Sequence, residues 1–273
     1  MGLILYHHNS SVCAAKIRIA LAEKGLTWDS RLMRLDGDQF HPDYLALNPA
    51  AVVPTLVHGA NVLVESNIIL EYLDDAFPAP ALRPADPALR ARMRLWLAEL
   101  DQGEAGVHKA ISVLTYAIAY RHSMIAEAGS TDPGDLRAVL SRTMNPQSRS
   151  WLEDVVLVGT SSERFDAAVF RMERLCDAFE SWLATAGWLA GSDLTLADLA
   201  FAPYFVRLEL LGLSALWRNR PNVSVWYDRL RARPSMSEVL DWYAPTTLMA
   251  LSEHQESGRT ALEQVLAARR TSA

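Results

Sequence analysis

Apolar and polar positions in the first 80 residues change their period several times. Leu3–His7 is a short apolar run that predicts a strand, and apolar residues then recur at helical spacing until Gly25, which ends that helix as a C-cap. The pattern further predicts a strand within Thr27–Leu35, a short helix over Pro42–Asn48, a hairpin over Pro54–Ser66 and a helix over Ser66–Phe77. The resulting order, βαβαββα, is typical of a compact α/β layer.

The pattern becomes helical after a proline-rich segment. Pro78–Pro87 contains four prolines in ten residues, which indicates a linker. Helices are then predicted over Arg90–Arg121, from a cap at Asp132 onward, over Phe165–Ala186 behind a Thr160-x-x-Glu163 capping box, over Asp193–Gly212 and over Pro221–Met236. We therefore predict an α/β domain over 1–80, a linker over 81–88, an all-helical domain over 89–245 and a polar, helical tail over 246–273.

Composition narrows the class of protein. The chain has 273 residues, 50% of them hydrophobic, and a formal net charge of −6, which argues against a nucleic-acid-binding surface. Its two cysteines, Cys13 and Cys176, are too few for a disulfide framework and fit a reducing compartment. We find neither a secretory signal nor an apolar run of about 18 residues, so we expect a cytoplasmic protein without a membrane segment.

The segment SSVCAAKIRIALAEKG, Ser10–Gly25, places serines at a helix start and ends in R-I-A-L-x-x-K-G. It resembles the signature of the serine-type cytosolic glutathione transferases, and the resemblance covers roughly residues 3–243. It implies a thioredoxin-like N-terminal domain, an all-helical C-terminal domain, glutathione as co-substrate and Ser11 as the catalytic residue. A hydroxyl donor at the positive end of a helix favours a thiolate over a thiol. The alternative is a serine N-cap without chemistry. Other candidates for contact with the sulfur are Asn9, Ser10 and Cys13.

Two further motifs carry the resemblance. In VVPTLV, the family has a cis proline before the third strand, which implies a cis Val53–Pro54 bond whose backbone pairs with the cysteinyl part of glutathione. In VESNIILEYL, Glu65 and Ser66 match the family's acidic-serine pair. That match implies that Ser66 donates to the γ-glutamyl carboxylate and Glu65 accepts from the γ-glutamyl ammonium. The alternatives are a trans proline that opens a strand and a capping serine beside a solvated glutamate.

The motif TLADL, Thr195–Leu199, has a structural interpretation. Thr195 and Asp198 form an N-cap box, and Leu194 and Leu199 are placed to form the hydrophobic staple. The family resemblance implies the same role, which is to support folding of the helical domain. We therefore predict no catalytic function for this box.

Several weaker candidates come from positions that the family uses. Gln39 and His41 match positions near the glycyl end of glutathione. Asp101 is a candidate for the γ-glutamyl ammonium across a dimer interface, and a solvated helix face is its alternative. Candidates for contact with either substrate are Tyr6, His7, His8 and Asn9. In the family the long helix faces the hydrophobic substrate, and the candidates for that contact are Tyr116, Tyr120 and Arg121. A histidine at a strand end is more often a hydrogen-bonding neighbour, and tyrosines at helical spacing are more often core.

The helical domain also resembles one branch of the superfamily. The run LRPADPALRARMRLWLAELD and the long segment that includes Met144–Val156 resemble the bacterial β-aryl etherases, whereas the loop HHNSSVC does not match the glycine-rich loop of one member. This branch implies attack of glutathione thiolate on the carbon that bears an aryloxy group, and the substrate class is a small hydrophobic or aromatic electrophile. The resemblance to the family implies a homodimer, or a heterodimer with a paralogue. We find no metal-ligand spacing and no G-x-G-x-x-G or Walker motif.

Three other activities stay open. A zeta-like isomerase fits Cys13 and Gln39 but needs an anion-binding patch, for which Arg121 and Arg207 are the candidates. A non-catalytic glutathione-binding protein would be favoured by a replaced Ser11 or a broken acidic-serine pair, and both are intact. A thiol-transferase would use Cys13, which lies two residues after the position at which such relatives place their cysteine.

Overall fold

The computed structural model describes residues 2–143 and 146–272, so Met144 and Asn145 of the segment matched to the etherases lie outside the described residues. Two compact units are present. Unit 1 lies within residues 1–97, 182–205 and 225–244, and unit 2 lies within residues 98–181, 206–224 and 245–273. The predicted domain bounds follow the order of elements along the chain, whereas these units follow spatial contacts, so the bounds stay a prediction.

The N-terminal part of unit 1 confirms the predicted βαβαββα order. Its elements are β1 Leu3–His7, α1 Val12–Glu23, β2 Trp28–Leu32, α2 Pro42–Leu47, β3 Thr55–His58, β4 Asn61–Leu63 and α3 Ser66–Ala76. The strand order in the sheet is β2-β1-β3-β4, with β1 parallel to β2 and the other pairs antiparallel. Leu3 lies opposite Trp28 on one side and His58 on the other. This is the thioredoxin-like layer that the resemblance implied.

The remainder of the chain is helical, as predicted. The helices are α4 Pro87–Leu100, α5 Val107–Thr115, α6 Arg121–Ala128, α7 Pro133–Thr143, α8 Pro146–Val158, α9 Glu163–Leu183, α10 Leu196–Leu210, α11 Ala215–Arg218, α12 Pro221–Arg231, α13 Ser237–Leu240, α14 Pro245–Ser252 and α15 Gln255–Ser272. A π-helical segment, Tyr116–Tyr120, joins α5 to α6. Within residues 2–143 and 146–272, the structure contains no helix whose length and hydropathy would allow it to cross a membrane.

Three of the predicted helix boundaries are wrong, and the simplest case is the helix predicted over Pro221–Met236, which ends at Arg231. The apolar pattern over Arg90–Arg121 does not form one helix, because the chain turns between α4 and α5. At this turn Gly103 has φ +57°, and a side chain at Gly106 would begin 2.8 Å from the Leu100 carbonyl oxygen. Thr160 does not cap α9 either. It lies in a 3₁₀ turn, and Ser162 caps the helix by accepting from the Arg164 amide at 3.2 Å.

Helices α1 and α3 run parallel on one face of the sheet. Lys16 near the start of α1 reaches Ser66 at the start of α3, with 3.1 Å between Nζ and Oγ. Lys24, just after α1, reaches Asp74 near the end of α3, with 2.7 Å between Nζ and Oδ1. Both pairs are 50 residues apart, which requires the two helices to point the same way. The first turns of α1 and α3 therefore lie at the same end of the layer.

Asp198 organises the start of α10 in unit 1, and its bonds to Thr195 show the predicted pairing of these two residues at the helix cap. Its Oδ2 accepts from the Thr195 amide and the Thr195 hydroxyl, both at 2.8 Å. Its Oδ1 accepts from the Leu189 amide and from Trp226 Nε1, both at 2.9 Å. The side chain is fully buried. One carboxylate thus joins the helix cap to two other segments of the same unit.

Candidate functional site

Ser11 caps α1 and is partly exposed. Its backbone is extended, and its Oγ accepts from the Ala14 amide at 3.2 Å. This bond uses an oxygen lone pair, so the hydroxyl proton stays available for another acceptor. The amides at the start of α1 add the partial positive charge of a helix N-terminus. Ser11 is therefore both the structural cap and a hydroxyl donor at a site that favours an anion.

The side chain of Arg18, which is fully buried, fixes the loop before Ser11 by hydrogen bonds. Its guanidinium donates to the carbonyl oxygens of His8 at 3.3 Å and Asn9 at 3.2 Å, and its Nε donates to the Glu238 carbonyl oxygen at 3.1 Å. Burial lowers the pKa of Arg18 to about 10. The side-chain oxygen of Asn9 is buried and has no hydrogen-bond partner among the described residues. Arg18 therefore fixes the position from which α1 begins.

His7 belongs to the core, and we do not place it in the site. It is fully buried, its Nε2 lies 2.8 Å from Ser30 Oγ, and its ring packs edge-on against Trp242 at 4.7 Å between centroids. This is the hydrogen-bonding alternative stated above. Tyr6 points to the opposite face of the sheet, because side chains alternate along a strand, and its ring lies 5.6 Å from that of Tyr44.

Loss of stability in acid is expected from His7. Burial, followed by the charges of Arg18 and His8, lowers the pKa of His7 from its ordinary 6.5 to about 3. As the pH falls, His7 is protonated in the unfolded chain before it is protonated in the folded one. The contribution of neutral His7 to the free energy of unfolding is therefore intact above pH 6.5 and is lost as the pH falls from there towards 3. We expect the thermal midpoint to fall from pH 7 to pH 5, and His7→Asn to reduce that fall. The matched control is His41→Asn, at an exposed position, which should keep the wild-type slope; an unchanged slope in His7→Asn would contradict the assignment.

The Val53–Pro54 peptide bond is cis, as predicted, and a second cis bond, Ala79–Pro80, was not predicted. Asn48 supports this loop, since its Nδ2 donates to the Val52 carbonyl oxygen at 2.9 Å and to Thr55 Oγ1 at 3.1 Å. Among hydrogen bonds between the described residues, none uses the peptide groups of Val53. These groups are therefore available to pair with an extended ligand.

Glu65, which precedes Ser66 at the start of α3, has an unusual backbone conformation. Glu65, at the N-cap, has φ +65° and an exposed side chain that does not cap the helix. Such left-handed backbone is costly for a residue with a Cβ and concentrates at functional sites. Ser66 is the first helical residue rather than the cap, and it is 6% exposed. Lys16 Nζ donates both to Ser66 Oγ and to Asn67 Oδ1, each at 3.1 Å.

Three other candidates in unit 1 have distinct environments. Gln39 is buried in a 3₁₀ turn, and its Oε1 accepts from the Gly37 amide at 3.2 Å. His41 is exposed and caps α2, with its Nδ1 accepting from the Asp43 amide at 3.3 Å. Cys13 is partly exposed and forms no disulfide, and its Sγ lies 3.7 Å from the hydroxyl of Tyr204.

Arg121, in unit 2, has a structural task that the sequence did not reveal. Its Nε donates to the Val156 carbonyl oxygen and its Nη2 to the Leu157 carbonyl oxygen, both at 3.1 Å. These carbonyls belong to the last turn of α8, where a cation is favourable. The guanidinium is therefore used as a helix cap, which weakens its assignment as a substrate contact.

The remaining predicted residues of unit 2 are Asp101, Tyr116 and Tyr120. Asp101 is exposed just after α4. The rings of Tyr116 and Tyr120 meet edge-to-face at 5.4 Å in the π-helical segment, and the buried Arg207 lies 5.7 Å from the Tyr120 ring. A π-turn within a helix is often found at functional sites. The phenol oxygen of Tyr120 is buried and makes no hydrogen bond within the described part of the chain.

Lys16 and Arg18 are the two residues that sequence reasoning missed. Both are fully buried, although charged residues rarely are. The sequence did contain a signal for this burial. Lys16 and Arg18 are two positions apart, so they lie on different faces of α1, and the residues around them are apolar. Both charges could therefore not share one solvated face. For metals, no cluster of three or more His, Cys, Asp or Glu side chains able to hold an ion occurs among the described residues.

Comparison with known proteins connects this site to a family. The family model for the glutathione S-transferase N-terminal domain matches residues 10–76, and the model for the glutathione S-transferase C-terminal domain matches residues 137–234. The chain is 30% identical over 248 residues to the maleylacetoacetate isomerase of Pseudomonas aeruginosa, covering 89% of this chain and 98% of that protein. It is 29% identical over 241 residues to the tetrachloro-p-hydroquinone reductive dehalogenase of Sphingobium chlorophenolicum, covering 85% and 92%.

Protein LigF of Sphingobium sp. strain SYK-6 is similar in both sequence and structure. The sequences are 27% identical over 256 residues, covering 88% of this chain and 94% of LigF. The crystal structure of the beta-etherase LigF from that strain superposes with a TM-score of 0.74 at 25% identity, covering 89% of this chain and 100% of that chain. Two matched family models and a near-full-length relative at 30% identity lead to one conclusion. The chain belongs to the glutathione S-transferase superfamily.

Proposed function

We propose that this protein activates the thiol of glutathione at Ser11 for attack on a small hydrophobic or aromatic electrophile. Glutathione is the co-substrate of the family. The observation that carries the proposal is the geometry of Ser11, which accepts from the Ala14 amide and keeps its own proton for an acceptor at the start of α1. The homodimer and the cytoplasmic location stay predictions.

The energy required is within reach of these groups. A free thiol has a pKa of about 8.5, and lowering it by about two units requires about 2.7 kcal/mol. A hydrogen bond to a charged acceptor contributes about 1.5–3 kcal/mol, and a helix N-terminus adds about 0.3–1 kcal/mol. The combined range of these two contributions includes the energy required, which supports the proposal that the Ser11 hydroxyl and the first turn of α1 hold a thiolate at neutral pH.

The rest of unit 1 fits the remainder of glutathione. The unused peptide groups of Val53, beside the cis Pro54, can pair with the cysteinyl backbone. Ser66 and the first amides of α3 suit the γ-glutamyl carboxylate, and the exposed carboxylate of Glu65 suits its ammonium. Gln39, His41 and Asp101 remain candidates for the two ends of the molecule. For the electrophile, Tyr116 and Tyr120 are retained as candidates from unit 2.

For the reaction, we propose cleavage of β-O-4 aryl ethers, supported by the similarity to LigF over nearly its whole length. In this step a C–S bond forms at the carbon that bears the aryloxy group, and the C–O bond breaks. The aryloxide leaves with the bonding electrons and takes a proton from solvent. The products are a glutathione thioether and a phenol.

An isomerase is the second candidate, because the maleylacetoacetate isomerase of Pseudomonas aeruginosa is 30% identical over most of both chains. That chemistry needs cations for an acidic substrate. Of the two arginines considered for this purpose, Arg121 is bonded to the end of α8, and the buried Arg207 donates to Thr115 Oγ1 at 3.3 Å. We therefore rank the isomerase second.

A substrate panel with glutathione tests the proposal. A β-O-4 model dimer should release one phenol for each thioether formed, and the control without glutathione should release none. Turnover of maleylacetoacetate alone would favour the isomerase. Turnover of an aryl halide alone would keep the transferase and reject the etherase. Glutathione binding without any turnover would favour the non-catalytic alternative and contradict the proposed activity.

A further inference from the structure

Two buried lysines on the same side of unit 1 have different partners. Lys24 forms an ion pair with the Asp74 carboxylate, with 2.7 Å between Nζ and Oδ1. Lys16 is fully buried, and its donors within the described ranges reach only the neutral side chains of Ser66 and Asn67. Its Nζ lies 5.2 Å from the centre of the Tyr204 ring. In the part of the chain that the structure describes, no carboxylate forms an ion pair with Lys16. Burial of an ammonium without a counter-charge is costly.

Lys16 also determines how Ser66 can bond. A lysine ammonium has only donors, so the Ser66 oxygen must be the acceptor in their 3.1 Å contact. The single hydroxyl proton of Ser66 is therefore directed away from Lys16, towards another acceptor. At this point the first amides of α3 have no helical acceptor, and the Glu65 side chain does not cap them.

We infer that Lys16 is a positioning residue that supplies the buried positive charge for a ligand carboxylate at the first turn of α3. The inference rests on the proposed function, under which this carboxylate is the γ-glutamyl α-carboxylate of glutathione. Lys16 acts through Ser66, because it orients the Ser66 hydroxyl as a donor. Its positive charge, next to Ser66, also compensates the negative charge of the ligand carboxylate. The same ligand carboxylate balances the ammonium, for which the described residues supply no acidic partner.

Isothermal titration with two ligands tests this role. The first is glutathione, and the second is 4-aminobutyryl-cysteinylglycine, which is glutathione without the γ-glutamyl α-carboxylate. Wild type should prefer glutathione by about tenfold or more, as expected for one charge-assisted bond. Lys16→Met should weaken the affinity for glutathione by about that factor and change the affinity for the analogue by no more than about twofold. Lys16→Arg, which keeps the charge, should retain the preference.

Two readouts separate positioning from a structural role. Lys16→Met should raise the KM for glutathione while kcat at saturation stays near wild type, because Ser11 is unchanged. Its thermal midpoint without ligand should stay close to wild type, because an unpaired buried charge is removed together with its hydrogen bonds. A lower midpoint with an unchanged ligand preference would show that Lys16 is only structural. If Lys16→Met does not fold, Lys16→Gln, an uncharged donor, replaces it in the same titration.

The outcomes distinguish this inference from the proposed function. If wild-type protein does not bind glutathione, the proposed function fails and this inference fails with it. If wild type binds glutathione and discriminates against the analogue, but the uncharged variants discriminate equally well, only the inference about Lys16 is overturned. Equal affinity of wild type for the two ligands would also overturn it, because no carboxylate would then be sensed.

Discussion

Replacement of Ser11 by alanine is expected to lower kcat for glutathione conjugation by about tenfold or more, with only a modest change in glutathione affinity. The Ser11 oxygen accepts from the Ala14 amide, and the Ser11 hydroxyl proton has no acceptor among the residues that the structure describes. Its loss removes a hydrogen bond that stabilises the thiolate. A tenfold loss corresponds to about 1.4 kcal/mol, at the lower limit for a hydrogen bond to a charged group.

The capping role of Ser11 has to be separated from its chemistry. Alanine at an N-cap costs about 0.5–2 kcal/mol of stability, whereas glycine costs only a few tenths. Ser11→Gly should therefore lose the same activity as Ser11→Ala while keeping wild-type stability. Ser10→Ala is the matched control, because the neighbouring Ser10 hydroxyl is bonded to His8 Nδ1 at 3.1 Å.

Ultraviolet absorbance of the glutathione thiolate, titrated with pH, is the direct measurement. In the wild type the signal should titrate well below the pKa of free glutathione, and in both Ser11 variants that shift should be lost. Wild-type rates in Ser11→Gly would contradict the assignment and direct attention to Asn9, Ser10 and Cys13. No thiolate signal in any of the proteins would favour the non-catalytic alternative.

Asp198→Ala is expected to destabilise unit 1 by about 3–5 kcal/mol. This fully buried carboxylate accepts four hydrogen bonds, which come from the Thr195 amide, the Thr195 hydroxyl, the Leu189 amide and Trp226 Nε1. Each buried donor left without an acceptor costs about 1–3 kcal/mol, and partial repacking or water recovers some of that sum. Asp198→Asn should also destabilise, because one of its two side-chain positions becomes a donor that faces donors.

Chemical denaturation followed by tryptophan fluorescence measures this effect, since Trp226 is part of the network. Asp193→Ala is the control. Asp193 lies five residues earlier, is exposed, and accepts from Ser192 at 3.0 Å. It should change the free energy of unfolding by no more than about 0.5 kcal/mol. A loss below about 1 kcal/mol in Asp198→Ala would show that the network is replaceable.

Local sequence signals were sufficient wherever one segment supplies all the partners. The strand at Leu3–His7 and the box at Thr195 follow from side chains close together in the chain, and both are present in the structure. The cis Val53–Pro54 bond was predicted from family resemblance, not from physics, since a trans bond is the local default. The prediction of a capping box at Thr160 is wrong because Ser162 offers an equivalent hydroxyl two residues later. Only the geometry of the preceding turn determines which of the two hydroxyls caps the helix.

In the candidate site, too, local sequence signals predict the elements but not the contacts between distant segments. The sequence by itself determined the βαβαββα order, the helical remainder and Ser11 as the cap of α1, because periodicity and capping act over a few residues. It also located the start of α3, although Ser66 is there the first helical residue and not the cap. Only the tertiary structure decided that His7 is core, that Arg121 caps α8, and that Lys16 lies behind Ser66, 50 residues away. Whether a charged or polar side chain is solvated or buried depends on distant segments that pack over it. The environment of such a residue, and hence its chemical role, is a property of the fold rather than of the local sequence.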